Sequence, residues 1–368
     1  MRGRRVRGGT NAPGPGRTRT GRGLKRALMR RTLRKLMPGS RRRGGRVART
    51  LARLIPVRRR RAAGELVPVA GVGRDRRHLI DRFRRLLPRP SATTPRVYAG
   101  RGDLEVRLAV AANEVRASQA LRYRVFYREM SARAGTRARV TRRDRDQFDR
   151  ICDHMLVVDH AARRRGVPLL RGSSGRVVAT YRLLPQDVAE ANDGFYTQDE
   201  YDLAPLIARH RDKYFLELGR SCVLKPYRTK ATIELLWHGV WGYIREHKFD
   251  VMVGCASLEG TDPDELALPL SFLYHHALAP PEWMVSAHPH RHVGMNRIAR
   301  QDVDVKAALK SLPPLIKGYL RLGAMVGDGA VVDYQFGTTD VFVVMPKELI
   351  NTRYFAHFGA PDDPVGSG

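Results

Sequence analysis

The stretch that decides the fold runs from residue 213 to residue 257. It opens with KYFLELGRSCVL (213–224), turns through KPYRTKAT (225–232) and closes with FDVMVGCAS (249–257). Between them Ile233, Leu236, Trp237, Val240, Trp241 and Ile244 fall at i, i+3, i+4, i+7, i+8 and i+11, the apolar stripe of an amphipathic helix. The two flanking apolar runs read as strands, so the segment is strand–loop–helix–strand. Lys225, Arg228 and Lys230 stand on the loop that opens the helix. Free backbone N–H groups and the helix dipole converge there, which suits a phosphate or pyrophosphate. An ordinary turn with solvated cations is the competing reading.

Working outward, LEVRLAVA (104–111) reads as a strand and 113–130 as a helix with Ala117, Leu121, Val125 and Phe126 at helical spacing. HMLVVDH (154–160) and RVVATYRLLP (176–185) read as paired strands joined by the turn 166–175, and 329–346 reads as two more. LALPLSFLYHHALAP (266–280) reads as a core helix or a wall of an apolar channel. The class is mixed α/β (α+β) with a mixed sheet.

Charge divides the chain in two. Residues 1–96 hold 31 of the 68 Lys and Arg but 3 of the 36 Asp and Glu, whereas residues 97–368 hold 37 and 33. A basic, low-complexity arm (1–96) therefore precedes a near-neutral domain (97–368), and the net charge of +32 describes the arm. Within the arm, 24–38 and 74–88 carry apolar residues at helical spacing on a basic background, which suits an anionic membrane surface. A solvated tail, a mis-assigned gene start and non-specific nucleic-acid binding compete with that reading, and nucleic acid is the least favoured. Cys152, Cys222 and Cys255 form no C-x-x-C pair, which argues against a disulfide scaffold or a zinc ribbon and for a reducing compartment. No run of 18 apolar residues and no signal sequence is present, so the expected location is cytoplasmic, with a peripheral place at the membrane's inner face possible through the arm.

The strand, R-x-x-A (228–231) and helix resemble a degenerate acyl-donor loop of the GCN5-related N-acyltransferase fold. The glycines of the usual R/Q-x-x-G-x-G/A are missing, since none lies between Gly219 and Gly239. That departure favours a carrier-protein phosphopantetheine arm, with its single phosphate, over coenzyme A. LRYRVFYREM, DRDQFDRICDH, VATYRLLP and ELGRSCV resemble the stations of acyl-homoserine-lactone synthases. Arg122, Phe126, Asp146, Asp149, Arg182, Glu217 and Arg220 match them in order and spacing. The synthases' tryptophan after the first helix is absent, where this chain reads SARAGTR (131–137), which argues against adenosylmethionine as substrate.

FDRICDHMLVVD, ASLEGTDP, LALPLSFLYHHALAPPEW and the run 312–344 resemble bacterial L-ornithine N-alpha-acyltransferases over residues 104–346. This resemblance implies an N-acyltransferase sheet flanked by helices behind the arm. It implies an enzyme that moves a 3-hydroxy fatty acyl group from acyl carrier protein to the α-amino group of L-ornithine, with no resident cofactor and no metal. A signal synthase using the same donor, or an inactive binding protein, is the alternative.

The resemblance also suggests roles. An α-amino group has a pKa near 8, so neutralising it costs only ~1–3 kcal/mol and a weak base suffices. Glu217 is the candidate base beside Arg220, with Glu259 as the alternative, and a structural Glu217–Arg220 pair is the competing reading. Backbone N–H groups near Ser221–Val223 would meet the oxyanion. Arg122, Arg182 and Arg220 contend for the substrate carboxylate, and Asp146 and Asp149 for its side-chain ammonium. Phe126 fits a core position as well as a ligand contact. Lys225, Arg228 and Lys230 would hold the donor. His275, His276, His288, His290 and His292 lack metal-site spacing, and Cys222 lacks a histidine partner for nucleophilic catalysis.

Overall fold

The computed structural model describes residues 95–130, 132–162 and 175–350. The two arm helices expected at 24–38 and 74–88, and most of the turn expected at 166–175, lie outside them.

The chain begins with β1 (Val97–Arg101) and β2 (Leu104–Leu108), joined by a tight turn in which Gly102 takes a left-handed φ of 59°. Next come α1 (Ala112–Arg124), a π-helical turn (Val125–Glu129), α2 (Thr136–Thr141) and β3 (Asp153–Asp159). β4 (Arg176–Pro185) leads into α3 (Gln186–Glu190), a 3-10 turn (Tyr196–Asp199) and α4 (Ala204–Arg209). The decisive segment is β5 (Phe215–Val223), α5 (Lys230–His247) and β6 (Val251–Glu259). The chain closes with α6 (Ala267–Ala277), α7 (Val305–Ser311), α8 (Pro314–Leu322), β7 (Met325–Asp333) and β8 (Thr338–Pro346).

The eight strands form one sheet in the order β1-β2-β3-β4-β5-β6-β8-β7. All neighbours are antiparallel except β5 and β6, which the α5 crossover makes parallel. Thr229 caps α5 by accepting from Thr232 N–H, and Lys248 ends it in a left-handed conformation. Leu236, Val240 and Ile244 are buried as the periodicity requires, each stabilising by roughly 1.5–3 kcal/mol. Ile233, expected on the same stripe, is instead 40% exposed, because the first turn of α5 overhangs an open cavity.

Two departures from regular pairing prepare the site. First, β5 and β6 pair only over Phe215–Glu217 and Val251–Val253, although β5 continues along β4 and β6 along β8. Gly254 marks the parting: a Cβ there would stand 2.4 Å from the Leu218 carbonyl oxygen. Second, Thr180 faces Cys222 while Arg182 faces Gly219, so one residue of β4 opposes two of β5. This bulge sits at Arg220–Ser221, and Arg220 takes a φ of 52°, a left-handed conformation that costs a non-glycine residue about 1–2 kcal/mol.

Each face of the sheet carries its own core. Leu216, Leu218, Met252, Ala256 and Leu258 pack under α5 and α8 with Tyr181 and Tyr319. Phe215, Val251, Val253, Leu184 and Phe342 pack on the opposite face with Tyr201 and Trp283.

Candidate active site

The parting of β5 and β6 opens a cavity of about 1000 Å³ whose walls come from both faces of the sheet. Strand alternation sorts these walls. Arg182, Glu217, Cys255, Ser257, Thr338 and Asp340 line a polar side. Tyr181, Leu218, Leu236, Trp237, Leu258 and Tyr319 line an apolar side. The bulged Arg220 and Ser221 lie on the rim between them.

On the polar side, a loop beyond α2 presses three acids against three arginines. Arg122, fully buried, donates Nε–H to Asp144 at 2.8 Å, Nη1–H to Asp149 at 2.8 Å, and Nη2–H to Asp149 and the Asp144 carbonyl at 2.9 and 2.7 Å. Every guanidinium nitrogen is thus engaged, and Arg122 does not reach the cavity. Arg182 grips both oxygens of Asp146 at 2.7 and 2.6 Å and lies against the Phe148 and Tyr196 rings. Asp146 also accepts from the Phe148 and Asp149 N–H groups. Burial alone would raise Asp149, but the hydrogen bonds and charge of Arg122, with Arg182, hold it down at about 2. Asp146 is likewise lowered by Arg182 and Arg220 despite its burial. Neither aspartate lines the cavity.

Arg220 is placed differently. Its guanidinium is sandwiched between Tyr196 and Phe336, 4.6 and 4.7 Å from the ring centroids. It touches Asp146 at 3.3 Å, and its Nε lies 3.5 Å from Asp144 with no hydrogen bond. It lines the cavity, as Arg182 does, and its buried Nε is without a hydrogen bond. Phe126, half-buried and edge-on to Phe336 at 5.7 Å, lines the same wall.

Glu217, 4% exposed, accepts from the Tyr196 N–H at 2.9 Å, the Thr197 N–H at 2.7 Å and the Thr197 hydroxyl. It therefore anchors the turn that sets Tyr196 over Arg220. Burial outweighs these bonds and raises its pKa. Glu259 is exposed at the far end of β6 and also lines the cavity.

Sequence reasoning missed a second acidic trio. One oxygen each of Glu200, Asp333 and Asp340 lies within 4.8 Å of the others. Asp333 and Asp340 line the cavity, with Glu200 behind Cys255, whose thiol donates to it at 3.3 Å. Among the described residues, the cation within ion-pair distance is Arg291, 3.6 Å from Glu200. Burial and the charge of Asp340 push Glu200 up to about 7, and burial raises Asp340 against hydrogen bonds from Ser257 and Thr338. This all-oxygen set suits a hard cation or an ammonium. The signal in the sequence was an aspartate within the apolar strand TTDVFVVMP.

At the donor end, Ser221, Val223 and Arg228 line the cavity mouth. Arg228 donates to the Val223 carbonyl at 3.0 Å and pairs with Glu129 at 2.6 Å. Lys230 is 90% exposed on the first turn of α5, and Lys225 opens the 3-10 turn before it. Burial pushes the Cys222 and Cys255 thiols up, so both stay protonated. His275 and His288 contact the backbone carbonyls of Ile298 and Gln198, and His292 faces Asp328 at 3.4 Å.

The acetyltransferase (GNAT) domain family matches residues 121–238, from the end of α1 into α5. An L-ornithine N(alpha)-acyltransferase of Brucella abortus (strain 2308) is 51% identical over 259 residues, 70% of this chain and 90% of its own length. That of Agrobacterium fabrum (strain C58 / ATCC 33970) is 49% identical over 264 residues, 72% and 88% respectively. Among solved structures, an N-acyl amino acid synthase from uncultured soil microbes superposes with a TM-score of 0.39 at 10% identity, covering 71% of this chain and 99% of that one. With identity at this level over nearly the whole of those relatives, the chain belongs to the L-ornithine N(alpha)-acyltransferase family.

Proposed function

We propose that the chain transfers a 3-hydroxy fatty acyl group from the phosphopantetheine thioester of acyl carrier protein to the α-amino group of L-ornithine, giving lyso-ornithine lipid. The observation that carries this reading is the cavity itself, polar on one face of the sheet and apolar on the other, with a split between the strands joining the halves. A zwitterionic diamino acid belongs on the first side and an acyl chain on the second.

Arg220, whose Nε is without a hydrogen bond, takes the ornithine carboxylate. Asp340 and Asp333, backed by Glu200, take the side-chain ammonium. This assignment replaces Arg122, Asp146 and Asp149, because Arg122 and Asp149 are committed to each other and Asp146 to Arg182. Glu217, raised by burial, accepts a proton from the α-ammonium directly or through a water. The amine nitrogen then attacks the thioester carbonyl. The C–N bond forms, backbone N–H groups near Ser221–Val223 steady the oxyanion, and the C–S bond breaks. The nitrogen loses its second proton after attack, the departing thiolate takes it up and leaves as thiol, and the proton held by Glu217 returns to solvent. Lys225, Arg228 and Lys230 attract the single phosphate of the pantetheine arm, and no glycine-rich cradle is needed for it.

The test is an acyl-transfer assay on the full chain with 3-hydroxypalmitoyl carrier protein and labelled ornithine. A lipid-extractable amide is expected, formed faster from carrier protein than from coenzyme A and faster from the hydroxylated donor. Equal use of coenzyme A would overturn the donor assignment. Transfer to adenosylmethionine but not to ornithine would overturn the acceptor.

A further inference from the structure

The α7–α8 hairpin has two sides. Leu312, Pro313, Leu315 and Tyr319 line the apolar half of the acyl cavity. The other side borders a separate groove of about 730 Å³ against α6, floored by Phe272, Leu309 and Leu320 and edged by Lys310, Lys317 and Arg321. Val305 and Leu309, one turn apart on α7, are 42% and 41% exposed. Lys306 and Lys310 sit beside them at the same spacing, both exposed. Among the described residues no carboxylate lies within ion-pair distance of Lys306, Lys310, Lys317 or Arg321. Lys317 reaches only the Lys310 carbonyl, at 3.2 Å. The nearby Asp304 is engaged as the cap of α7, accepting from the Ala307 N–H.

Exposed aliphatic side chains ringed by unpaired cations fit the boundary between anionic headgroups and acyl chains. We propose that the α7–α8 face docks on an anionic lipid bilayer and that the fatty product leaves through this wall of its cavity. The docking face is thereby assigned to the folded domain and is independent of the basic residues at 1–96. The exit route rests on the fatty-acyl reading above; the docking face rests on the charge and exposure of the hairpin itself.

Hydrogen–deuterium exchange of the full chain, with vesicles of phosphatidylcholine alone or mixed with phosphatidylglycerol, reads both location and lipid. Exchange over residues 305–322 should slow at least threefold with the anionic vesicles and not with the neutral ones. Lys306→Glu/Lys310→Glu/Arg321→Glu should abolish the slowing, each lost cation weakening the contact about fivefold. Val305→Ser/Leu309→Ser, with charges intact, should weaken it too, and unchanged exchange in β3 and β4 would certify that either variant folds. Slowing confined to residues 1–94, or none at all, overturns the proposal. Protection of 305–322 by acyl carrier protein but not by vesicles overturns it as well, and assigns the face to a protein. If exchange slows as expected while acyl transfer fails, the docking face stands and the fatty-acyl reading falls.

Discussion

Two trios of acidic residues stand on the same side of this sheet, and they are built in opposite ways. Asp144, Asp146 and Asp149 face three arginines at hydrogen-bond or ion-pair distance. Among the described residues, Glu200, Asp333 and Asp340 have one arginine within ion-pair distance, 3.6 Å from Glu200. Asp149 is accordingly held at about 2 while Glu200 is pushed up to about 7. The first trio is electrically complete and fixes the loop that walls the site. The second carries negative charge that burial penalises, and a cationic ligand would relieve it. On the function proposed above, that difference separates the scaffold from the acceptor pocket.

Removing a partner from the first trio should have the largest effect. Arg122→Met leaves buried aspartates without their cation and should lower the unfolding free energy by about 3–5 kcal/mol in urea denaturation. A loss below about 1 kcal/mol would mean that this trio, too, is poised for a ligand.

The next effect, in the pH dependence of stability, has two limbs of opposite sign. A carboxyl raised in the folded state stabilises while protonated, so Glu200 contributes less and less as pH climbs from 4.5 to 7, by up to about 3 kcal/mol. Asp149, lowered in the folded state, contributes fully above its ordinary pKa and loses that contribution as pH falls toward 2. Denaturation across pH 3–9 should show a stability maximum on the acid side of neutrality. Glu200→Gln should flatten the descent between pH 4.5 and 7 and leave the acid limb unchanged; an unaltered descent would remove Glu200 as its source.

Arg220 pairs with the first trio and lines the cavity, and its variant separates structure from chemistry. Arg220→Gly relieves the left-handed backbone while deleting the guanidinium. Loss of charged hydrogen bonds worth about 1.5–3 kcal/mol should cut kcat/KM for ornithine by about 10–100-fold. The melting temperature should move little. A large fall in stability with kcat/KM preserved would mark Arg220 as scaffold. The smallest effect belongs to the other face of the sheet. Leu315→Trp shortens the apolar half and should move the preferred acyl chain down by a few carbons, each methylene being worth ~0.8 kcal/mol, about fourfold in rate. An unmoved chain-length profile would place the acyl chain elsewhere.

The sequence revealed these regions unequally. β5, α5 and β6 were legible to within about three residues, because apolar runs and helical periodicity are local signals. β4 was legible at both ends. β1 went unseen, since VYAGR is a short, largely exposed edge strand without alternation. The stations Arg122, Asp146 and Asp149 were visible as a set, but spacing does not reveal that they bind one another. The helix expected over 113–130 gives way to a π-helical turn at Val125–Glu129, which the apolar spacing does not encode. The second trio was illegible as a set because its members come from the residue after the 3-10 turn, the end of β7 and the beginning of β8. Only the sheet order brings them together.

The most direct test of the central claim compares ornithine with norvaline, which has the same carbon skeleton but no side-chain ammonium, in wild type and Asp340→Asn, with the same acyl donor. If the second trio receives that ammonium, wild type should favour ornithine by about 100-fold in kcat/KM, and the substitution should erode most of this preference by slowing ornithine alone. Equal use of the two amines by wild type, or a preference that survives in Asp340→Asn, would contradict the account.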